Sequence, residues 1–248
     1  IIGVPAGSLL GGSLGYQGVF ALVGIASLVA AGIVRLGVPE VAAPPVVSVR
    51  ERFAVAADRR VVPVLGMTVL ACLAAFSVFT YISPLLGATA GVHGTVISLL
   101  LFAYGVGGAV GNSLGGRLTD RFGSQRLLYV VFSVFTLVLV TLPLTTTTTV
   151  SAGVALFVWG LFTWSVNPPI QNWLIELAPT NSGLLLSLNA SAIYLGVGLS
   201  GVFGGLIIDS VGITLLPPIA GVLALVAVGL LVHARRVART PEPVLLAA

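Results

Sequence analysis

Long apolar runs alternate with short polar connections along the whole chain. Seven of these runs are close to twenty residues or longer, which is the length that an α-helix needs to cross about 30 Å of hydrocarbon. They predict seven membrane-spanning helices, at Gly18–Gly37, Val61–Leu86, Thr95–Gly116, Leu127–Leu144, Ser151–Trp173, Gly183–Ile208 and Ile213–His233. A shorter apolar segment, Ile1–Leu14, precedes them and predicts the end of one more helix, cut in mid-membrane. The expected fold class is an all-α membrane protein, a truncated helix followed by seven transmembrane helices.

The composition excludes a water-soluble globular protein. Mean hydropathy is +1.15, and only 7% of the residues are charged, against about 25% in an average soluble domain. Cys72 is the single cysteine and lies within an apolar run, so it can form neither a disulfide framework nor a cysteine metal cluster. The sequence therefore predicts a packing role for Cys72, with no metal and no cofactor.

The basic residues indicate which ends of the helices share a side of the membrane. All eleven are arginines, in three groups: Arg35, Arg50, Arg52, Arg59 and Arg60; Arg117, Arg121 and Arg126; and Arg235, Arg236 and Arg239. An alternating path brings the three groups to one side, and positive residues in short loops stay in the cytoplasm during insertion. These regions and the C-terminus are predicted to be cytoplasmic. The net charge of +4 is then explained by contact with the lipid bilayer, and no nucleic-acid partner is indicated.

Proline and arginine mark one long polar connection, Val38–Arg60, which has weak helical character. It predicts a cytoplasmic linker between two helical bundles. The expected organisation is the end of one helix and a complete helix in residues 1–37, the linker in 38–60, a six-helix bundle in 61–234 and a cytoplasmic tail in 235–248.

Glycines at four-residue spacing predict where helices approach one another closely, because lipid provides no hydrophobic drive for helix association. The three predicted ridges are Gly3, Gly7, Gly11 and Gly15; Gly107, Gly111 and Gly115; and Gly201 with Gly205. Plain close packing is the favoured interpretation, and a sliding interface is the alternative.

A charged segment after the third full span has a specific residue order. It runs Gly116-Arg117-Leu118-Thr119-Asp120-Arg121-Phe122-Gly123-Ser124-Gln125-Arg126. The segment resembles motif A of the major facilitator superfamily at Gly116, Leu118, Asp120, Arg121, Gly123 and Arg126. An acid at the membrane edge can meet the positive N-terminal end of a neighbouring helix, with arginines holding it ionised. The resemblance implies that breaking this contact lets two bundles rock.

Part of this segment is repeated later in the chain. Gly115–Gly123 recurs as Gly204–Gly212, with both leading glycines, the acid and the final glycine in register. The copies lie three helices apart, which places them on opposite membrane faces and predicts an inverted pair of three-helix units. Leu206 and Ser210 replace two arginines in the second copy, as expected for a segment outside the cell.

Two further segments look like those of drug and sugar efflux carriers, of the arabinose-efflux-like and chloramphenicol-resistance-like branch. Gly3–Gly12 is similar to their glycine-proline fifth helix, although Val4 separates the glycine from the proline. Ser187–Asn189 and Leu195–Gly198 are similar to their eleventh helix, although Tyr194 stands where many have asparagine. The resemblance implies the end of helix five, helices six to twelve, a missing N-terminal half and a place in a bacterial inner membrane.

Polar residues within the spans are the candidates for a substrate cavity, because polar groups in hydrocarbon usually face protein or water. The candidates are Trp159, Thr163, Asn167 and Gln171 in one stripe, Ser77 and Tyr81 in a weaker one, and Asn189 with Tyr194 on different sides of their helix. Pro168 and Pro169 are expected to kink the first stripe's helix. At most one of Asn189 and Tyr194 is expected to line the cavity. Hydrogen bonding between helices is the alternative role for each residue.

Catalytic chemistry is not indicated. Glu176 and Asp209 lie at span ends, no acid lies in mid-membrane, and no Ser, His and Asp arrangement occurs. A proton-carrying acid is expected in the missing half, so Asp120 is not assigned that role. The hypothesis is a proton-coupled exporter of small amphipathic drugs or sugar-like metabolites that works by alternating access, the fragment alone being inactive. The alternatives are an importer or metabolite exchanger, and a non-transporting membrane scaffold or sensor.

Overall fold

The structure is a computed structural model that describes residues 3–37 and 55–238, with side chains for residues 15–37 and 55–237. The α-helices of this part are α1 (Gly3–Gly37), α2 (Val61–Thr80), α3 (Ile82–Ala90), α4 (Thr95–Phe122), α5 (Ser124–Thr145), α6 (Thr149–Ser165), α7 (Asn167–Leu177), α8 (Ser182–Val211) and α9 (Leu216–Ala238). Two short 3-10 helices, Pro179–Asn181 and Ile213–Leu215, lead into α8 and α9. Most of the predicted linker, the end of the tail and the contacts of Gly3, Gly7 and Gly11 lie outside this description. The division into linker, bundle and tail stays a prediction.

Seven helical segments among the described residues are long and apolar enough to cross a membrane, which confirms the predicted fold class. The first span begins at Gly15, where the backbone of α1 leaves the helical region (φ 66°, ψ 174°) and divides two helices. Glycine tolerates this conformation because it has no Cβ.

Two predicted spans are broken in the structure. The span predicted at Val61–Leu86 divides into α2 and α3 at Tyr81, whose backbone is not helical. The span predicted at Ser151–Trp173 divides into α6 and α7 at Val166, although the backbone of Val166 stays in the helical region (φ −70°, ψ −38°). Pro168 and Pro169, just after Val166, have no N–H with which to continue the helical ladder, so this break is an interruption of the hydrogen bonds and the predicted kink stays a prediction.

The helices associate in pairs that follow the internal repeat. Helix α4 packs against α6, α8 packs against α2, and α9 packs against α5 and α2. Gly123 after α4 (φ 80°, ψ 151°) and Gly212 after α8 (φ 90°, ψ 162°) share one backbone conformation. Each donates its N–H to the carbonyl four residues earlier, Thr119 at 2.8 Å and Ile208 at 3.0 Å. The repeat found in the sequence is therefore a repeat in geometry.

Small residues face the partner helix in both units. A Cβ on Gly107 or Gly111 would overlap the backbone of α6, and one on Gly196 would lie 2.6 Å from the Val69 carbonyl oxygen of α2. On α8 the buried face carries Gly196, Ser200 and Gly204, in register with Gly107, Gly111 and Gly115. The ridge predicted at Gly201 and Gly205 is wrong for Gly201, where a Cβ would have nothing within 4 Å, whereas a Cβ on Gly205 would lie 3.1 Å from the Tyr81 hydroxyl oxygen.

The centre of the bundle is filled by large apolar side chains. Phe132 and Phe135 of α5, Met67 of α2 and Trp173 of α7 are at most 2% exposed. Residues 15–37 of α1, by contrast, leave apolar side chains such as Phe20 and Leu28 about three-quarters exposed, at 74% and 75%. The six-helix part is thus a packed body, and the second segment of α1 carries apolar surface that it does not bury here.

Candidate functional site

A pocket of about 100 Å³ lies between α2, α6, α7 and α8, beside the break at Val166. Its polar lining residues are Thr68, Thr163 and Asn167, together with Cys72. Its apolar lining includes Phe76, Phe135, Trp164, Ile170 and Ile193. With a rise of about 1.5 Å per residue, Asn167 lies roughly 15 Å from the end of α7, which is close to mid-membrane. A few polar groups in a mainly apolar concavity form the usual lining of a small-molecule site.

Only part of the main predicted stripe, which runs from Trp159 to Gln171, lines the pocket. Thr163 and Asn167 line the pocket, Gln171 lies half-buried further along α7, and Trp159 lies outside the pocket lining. The Thr163 hydroxyl is buried without a hydrogen bond of acceptable geometry, although the Tyr104 hydroxyl lies close enough to interact with it. Thr163 and Asn167 therefore line one cavity on either side of the break at Val166, while the Thr163 hydroxyl itself is buried beside Tyr104.

Trp159 belongs to an aromatic cluster next to the pocket. Its side chain is fully buried, with its ring 4.6 Å from that of Tyr104 and 6.4 Å from that of Phe79. Phe79 and Phe76, three residues apart on α2, continue the cluster to the pocket wall. These partners could not be identified from the sequence, because aromatic residues on different helices give no signal of their proximity.

Asn189 and Tyr194 lie on different sides of α8, as their spacing predicts. Asn189 is 1% exposed and its amide oxygen accepts a 2.7 Å hydrogen bond from Thr68, whereas Tyr194 is 76% exposed. Thr68 was not a candidate from sequence, yet it joins the pocket wall to α8. A lone threonine within an apolar helix carried no distinguishing signal.

Ser77 and Tyr81 make contacts inside the bundle. Ser77 is fully buried and donates to the Ala74 carbonyl oxygen at 3.1 Å. The Tyr81 hydroxyl donates to the Gly201 carbonyl oxygen at 2.9 Å, and its ring covers Gly204. These bonds tie α2 to itself and to α8, and neither residue lines the pocket.

The charged motif is more helical than predicted. Helix α4 continues past Gly116 to Phe122, and only Gly123 separates it from α5. Water and headgroups solvate charges at the end of a span, so nothing forces the helix to stop at the first arginine. Leu118 is half-buried, Asp120, Arg121 and Arg126 are exposed, and the Arg121 guanidinium lies 5.3 Å from the Phe122 ring centre. Asp120 forms no ion pair with any residue that the structure describes.

A hydrogen-bond network connects this motif to the pocket helix. The Asn172 amide of α7 donates to the Ser124 hydroxyl at 2.8 Å and to the Glu176 carboxylate at 2.6 Å. Ser124 is the first residue of α5 and follows Gly123 directly. Because Asn167 begins the same eleven-residue helix, α7 joins the pocket to the motif through five residues of helix.

Replacing Asn172 by leucine is expected to loosen this connection. The change removes two hydrogen bonds from a partly buried site and lowers the free energy of unfolding by about 1 kcal/mol. Unfolding of the full chain in detergent, followed by tryptophan fluorescence, measures the effect. Asn112→Leu is the control, because Asn112 is exposed on α4. Equal stability of Asn172→Leu and the unmodified protein would show that the network does not hold α7.

Comparison with known proteins assigns a family. The protein-family model described as Major Facilitator Superfamily matches residues 1–182 and, in a second alignment, residues 64–247. The uncharacterized MFS-type transporter YbcL of Bacillus subtilis is 32% identical over 82% of this chain and 53% of its own length. The inner membrane transport protein YdhP of Escherichia coli K12 is 30% identical over 99% of this chain and 62% of its own length. A probable sugar efflux transporter of Mannheimia succiniciproducens is 23% identical over 92% of this chain and 57% of its own length. The chain thus spans less than two thirds of the curated relatives it matches.

Proposed function

We propose that this chain, which belongs to the major facilitator superfamily, forms one half of a secondary active exporter of small neutral compounds. The observation that carries the proposal is the pocket beside the break at Val166. Transporters of this kind commonly bind substrate near the bilayer midplane, at discontinuous helices that line a cavity. Here the hydrogen-bond ladder of one span is interrupted at Val166 while the backbone stays helical, and Thr163 and Asn167, four residues apart, line the same pocket.

The lining favours a neutral, amphipathic or sugar-like substrate. No charged residue is among the described residues that line the pocket, and aromatic and aliphatic side chains surround its hydroxyl and amide groups. A charged substrate would lose its hydration in such a site without gaining an opposite charge. The relatives that are named probable sugar efflux transporters support the same substrate class and the outward direction.

The partner of this bundle is proposed to be the other half of the same transporter. Segment 15–37 of α1 and the outer side of α8, with Tyr194 and Val202, leave large apolar or aromatic surfaces exposed, as a second bundle or lipid would require. Alternating access would then rock the two halves about a substrate held between them. The coupling proton would be carried by an acid of the other half.

The motif at Gly116–Arg126 is proposed to act as the contact that closes one side of the transporter. Asp120 and Arg121 are exposed at the end of α4, where a helix end from the other half could meet them. We propose that this end and the C-terminus face the cytoplasm of a bacterial cell, from the position of the arginines.

The polar pocket groups provide the test. Asn167→Leu removes an amide from the pocket while nearly keeping its volume. It is expected to lower transport about ten-fold, the value of one lost hydrogen bond to substrate of about 1.4 kcal/mol. Thr163→Val removes a hydroxyl that is buried at the pocket wall, so it is expected to lower transport less, by about three-fold. Uptake of labelled arabinose and of labelled chloramphenicol, two neutral compounds, into inverted membrane vesicles holding the full-length protein measures it, with and without an imposed pH gradient.

Thr136→Val is the matched control. Thr136 also has a buried hydroxyl without a hydrogen bond, but it lies on α5 outside the pocket lining. Loss of flux in Thr163→Val and Asn167→Leu, with normal flux in Thr136→Val, supports the site. Equal flux in all three variants contradicts it. Uptake into right-side-out vesicles only would favour an importer, and absence of flux for both probes would favour a scaffold or sensor.

A further inference from the structure

A second pocket lies apart from the transport cavity, between the start of α5 and the end of α9. It has a volume of about 190 Å³ and is lined by Tyr129, Val232, Arg235 and Arg236. Because one water molecule needs roughly 10–15 Å³ of such space, the pocket has room for a phosphate group. The pocket lies at the end of the bundle that carries Gly123, because α5 begins there and α9 ends there.

Arg235 is held in place rather than extended into solvent. Its guanidinium lies 5.1 Å from the centre of the Tyr129 ring, within the range of a cation–π contact. Its Nε atom is buried and donates no hydrogen bond to any residue that the structure describes. Because Nε is shielded, an oxyanion in the pocket would be bound by the terminal N–H groups of the guanidinium, which arginine can direct at one ligand as two parallel hydrogen bonds.

Membrane topology alone does not require this arrangement. Positive charge at a span end is sufficient for the orientation of a helix, and a freely solvated arginine provides it. A favourable interaction with the C-terminal end of α9 also needs only charge. Neither role explains a pocket in which an aromatic ring fixes one arginine and a second arginine completes the wall.

Apolar surface continues from the pocket along both helices. On α5, Val130 and Leu137 are 58% and 61% exposed, and on α9, Leu225 and Val226 are 58% and 49% exposed. The exposed positions of α5 follow helical spacing away from Arg126, and those of α9 lead toward Arg236. A ligand with an anionic head and hydrocarbon tails matches this order of surfaces.

We propose that this pocket binds the phosphate of an anionic phospholipid, with the acyl chains lying along α5 and α9. Basic pockets between transmembrane helices at the cytoplasmic side are suited to such headgroups. Arg235 and Arg236 neutralise the phosphate, Tyr129 positions Arg235, and the exposed valine and leucine side chains contact the tails. The site is separate from the substrate pocket and does not depend on the substrate.

Native mass spectrometry of the full-length protein in detergent tests the proposal. Dioleoyl phosphatidylglycerol, dioleoyl phosphatidylcholine and soluble glycerol-3-phosphate are titrated separately. The unmodified protein is expected to prefer phosphatidylglycerol, and R235Q with R236Q to lose affinity by about five-fold for each arginine removed. Tyr129→Leu keeps both charges and is expected to weaken binding about three-fold through loss of the cation–π contact.

R117Q with R121Q is the matched control, because it removes the same charge from the same end of the bundle outside the pocket. Retention of phosphatidylglycerol by this control, together with its loss from R235Q/R236Q and its weakening in Tyr129→Leu, supports the site. Equal affinity for phosphatidylcholine, equal losses in the two double variants, or unchanged binding in Tyr129→Leu overturns it. Binding of glycerol-3-phosphate as tight as that of the lipid also overturns it, since the ligand would then be a free phosphate.

Discussion

Gly111→Ala is expected to destabilise the bundle more than any other single methyl group added to α4. A Cβ at Gly111 would overlap the backbone of Leu161, so no change of side-chain rotamer can relieve the clash. The backbones of α4 and α6 would have to separate, which also strains the 2.9 Å hydrogen bond from the Ser165 hydroxyl to the Gly111 carbonyl oxygen. Overpacking of this kind costs about 3 kcal/mol, or more than a hundred-fold in the folded-to-unfolded ratio.

Unfolding of the full chain in detergent measures this effect. Trp159 and Trp164 lie on α6 near the interface and report its opening through fluorescence. The control is Gly116→Ala on the same helix, where an added Cβ has nothing within 4 Å. Because alanine favours a helix over glycine, the control is expected to be neutral or stabilising by up to about 1 kcal/mol. If Gly111→Ala unfolds like the unmodified protein, α4 and α6 do not pack at this distance.

Gly123→Ala is expected to have the second largest effect, for a reason that involves no side-chain contact. Nothing lies within 4 Å of a Cβ at Gly123, but its backbone (φ 80°, ψ 151°) lies in a region that is essentially restricted to glycine. The substitution costs about 2 kcal/mol. Gly123 is the single joint between α4 and α5, so relief of this strain shifts Asp120 and Arg121 relative to α5.

Gly212→Ala is the control that shows whether backbone strain alone, outside the motif, lowers transport. Gly212 has the same conformation (φ 90°, ψ 162°) and the same open surroundings, but it lies in the copy without arginines. Both variants are expected to lose similar unfolding free energy, while only Gly123→Ala lowers flux beyond the loss of folded protein. Parallel measurements of unfolding and vesicle transport test this. An equal loss of flux in the two variants would show that the motif has no special role in transport.

The sequence was sufficient for features that depend on the solvent and on the local backbone. Apolar length predicted the seven spans, because the bilayer fixes how many residues a helix needs to cross it. Pro168 and Pro169 predicted the break in the helix of the main stripe, because a missing N–H acts within one turn. The match between Gly115–Gly123 and Gly204–Gly212 predicted equivalent helix ends, and Gly123 and Gly212 do share a conformation.

Helix ends at the membrane surface were predicted less well. The first arginine of the motif suggested an end at Gly116, yet α4 continues to Phe122. Charged residues mark where hydrocarbon stops, but a helix can extend into water beyond that point. Tyr81 interrupts a predicted span three residues before Pro84, the same spacing as Val166 to Pro169, and the sequence prediction did not use this proline.

By itself, the sequence determined that lipid surrounds these helices, where they cross, and that two three-helix units repeat. Only the tertiary structure decided that Gly196 and Gly204, rather than Gly201, face α2, that Asn189 is bonded to Thr68 while Tyr194 is exposed, and that Thr163 shares a pocket with Asn167. The physical reason is that lipid tails and the bundle interior are equally apolar. Hydrophobic periodicity therefore cannot distinguish the face that meets another helix from the face that meets the membrane.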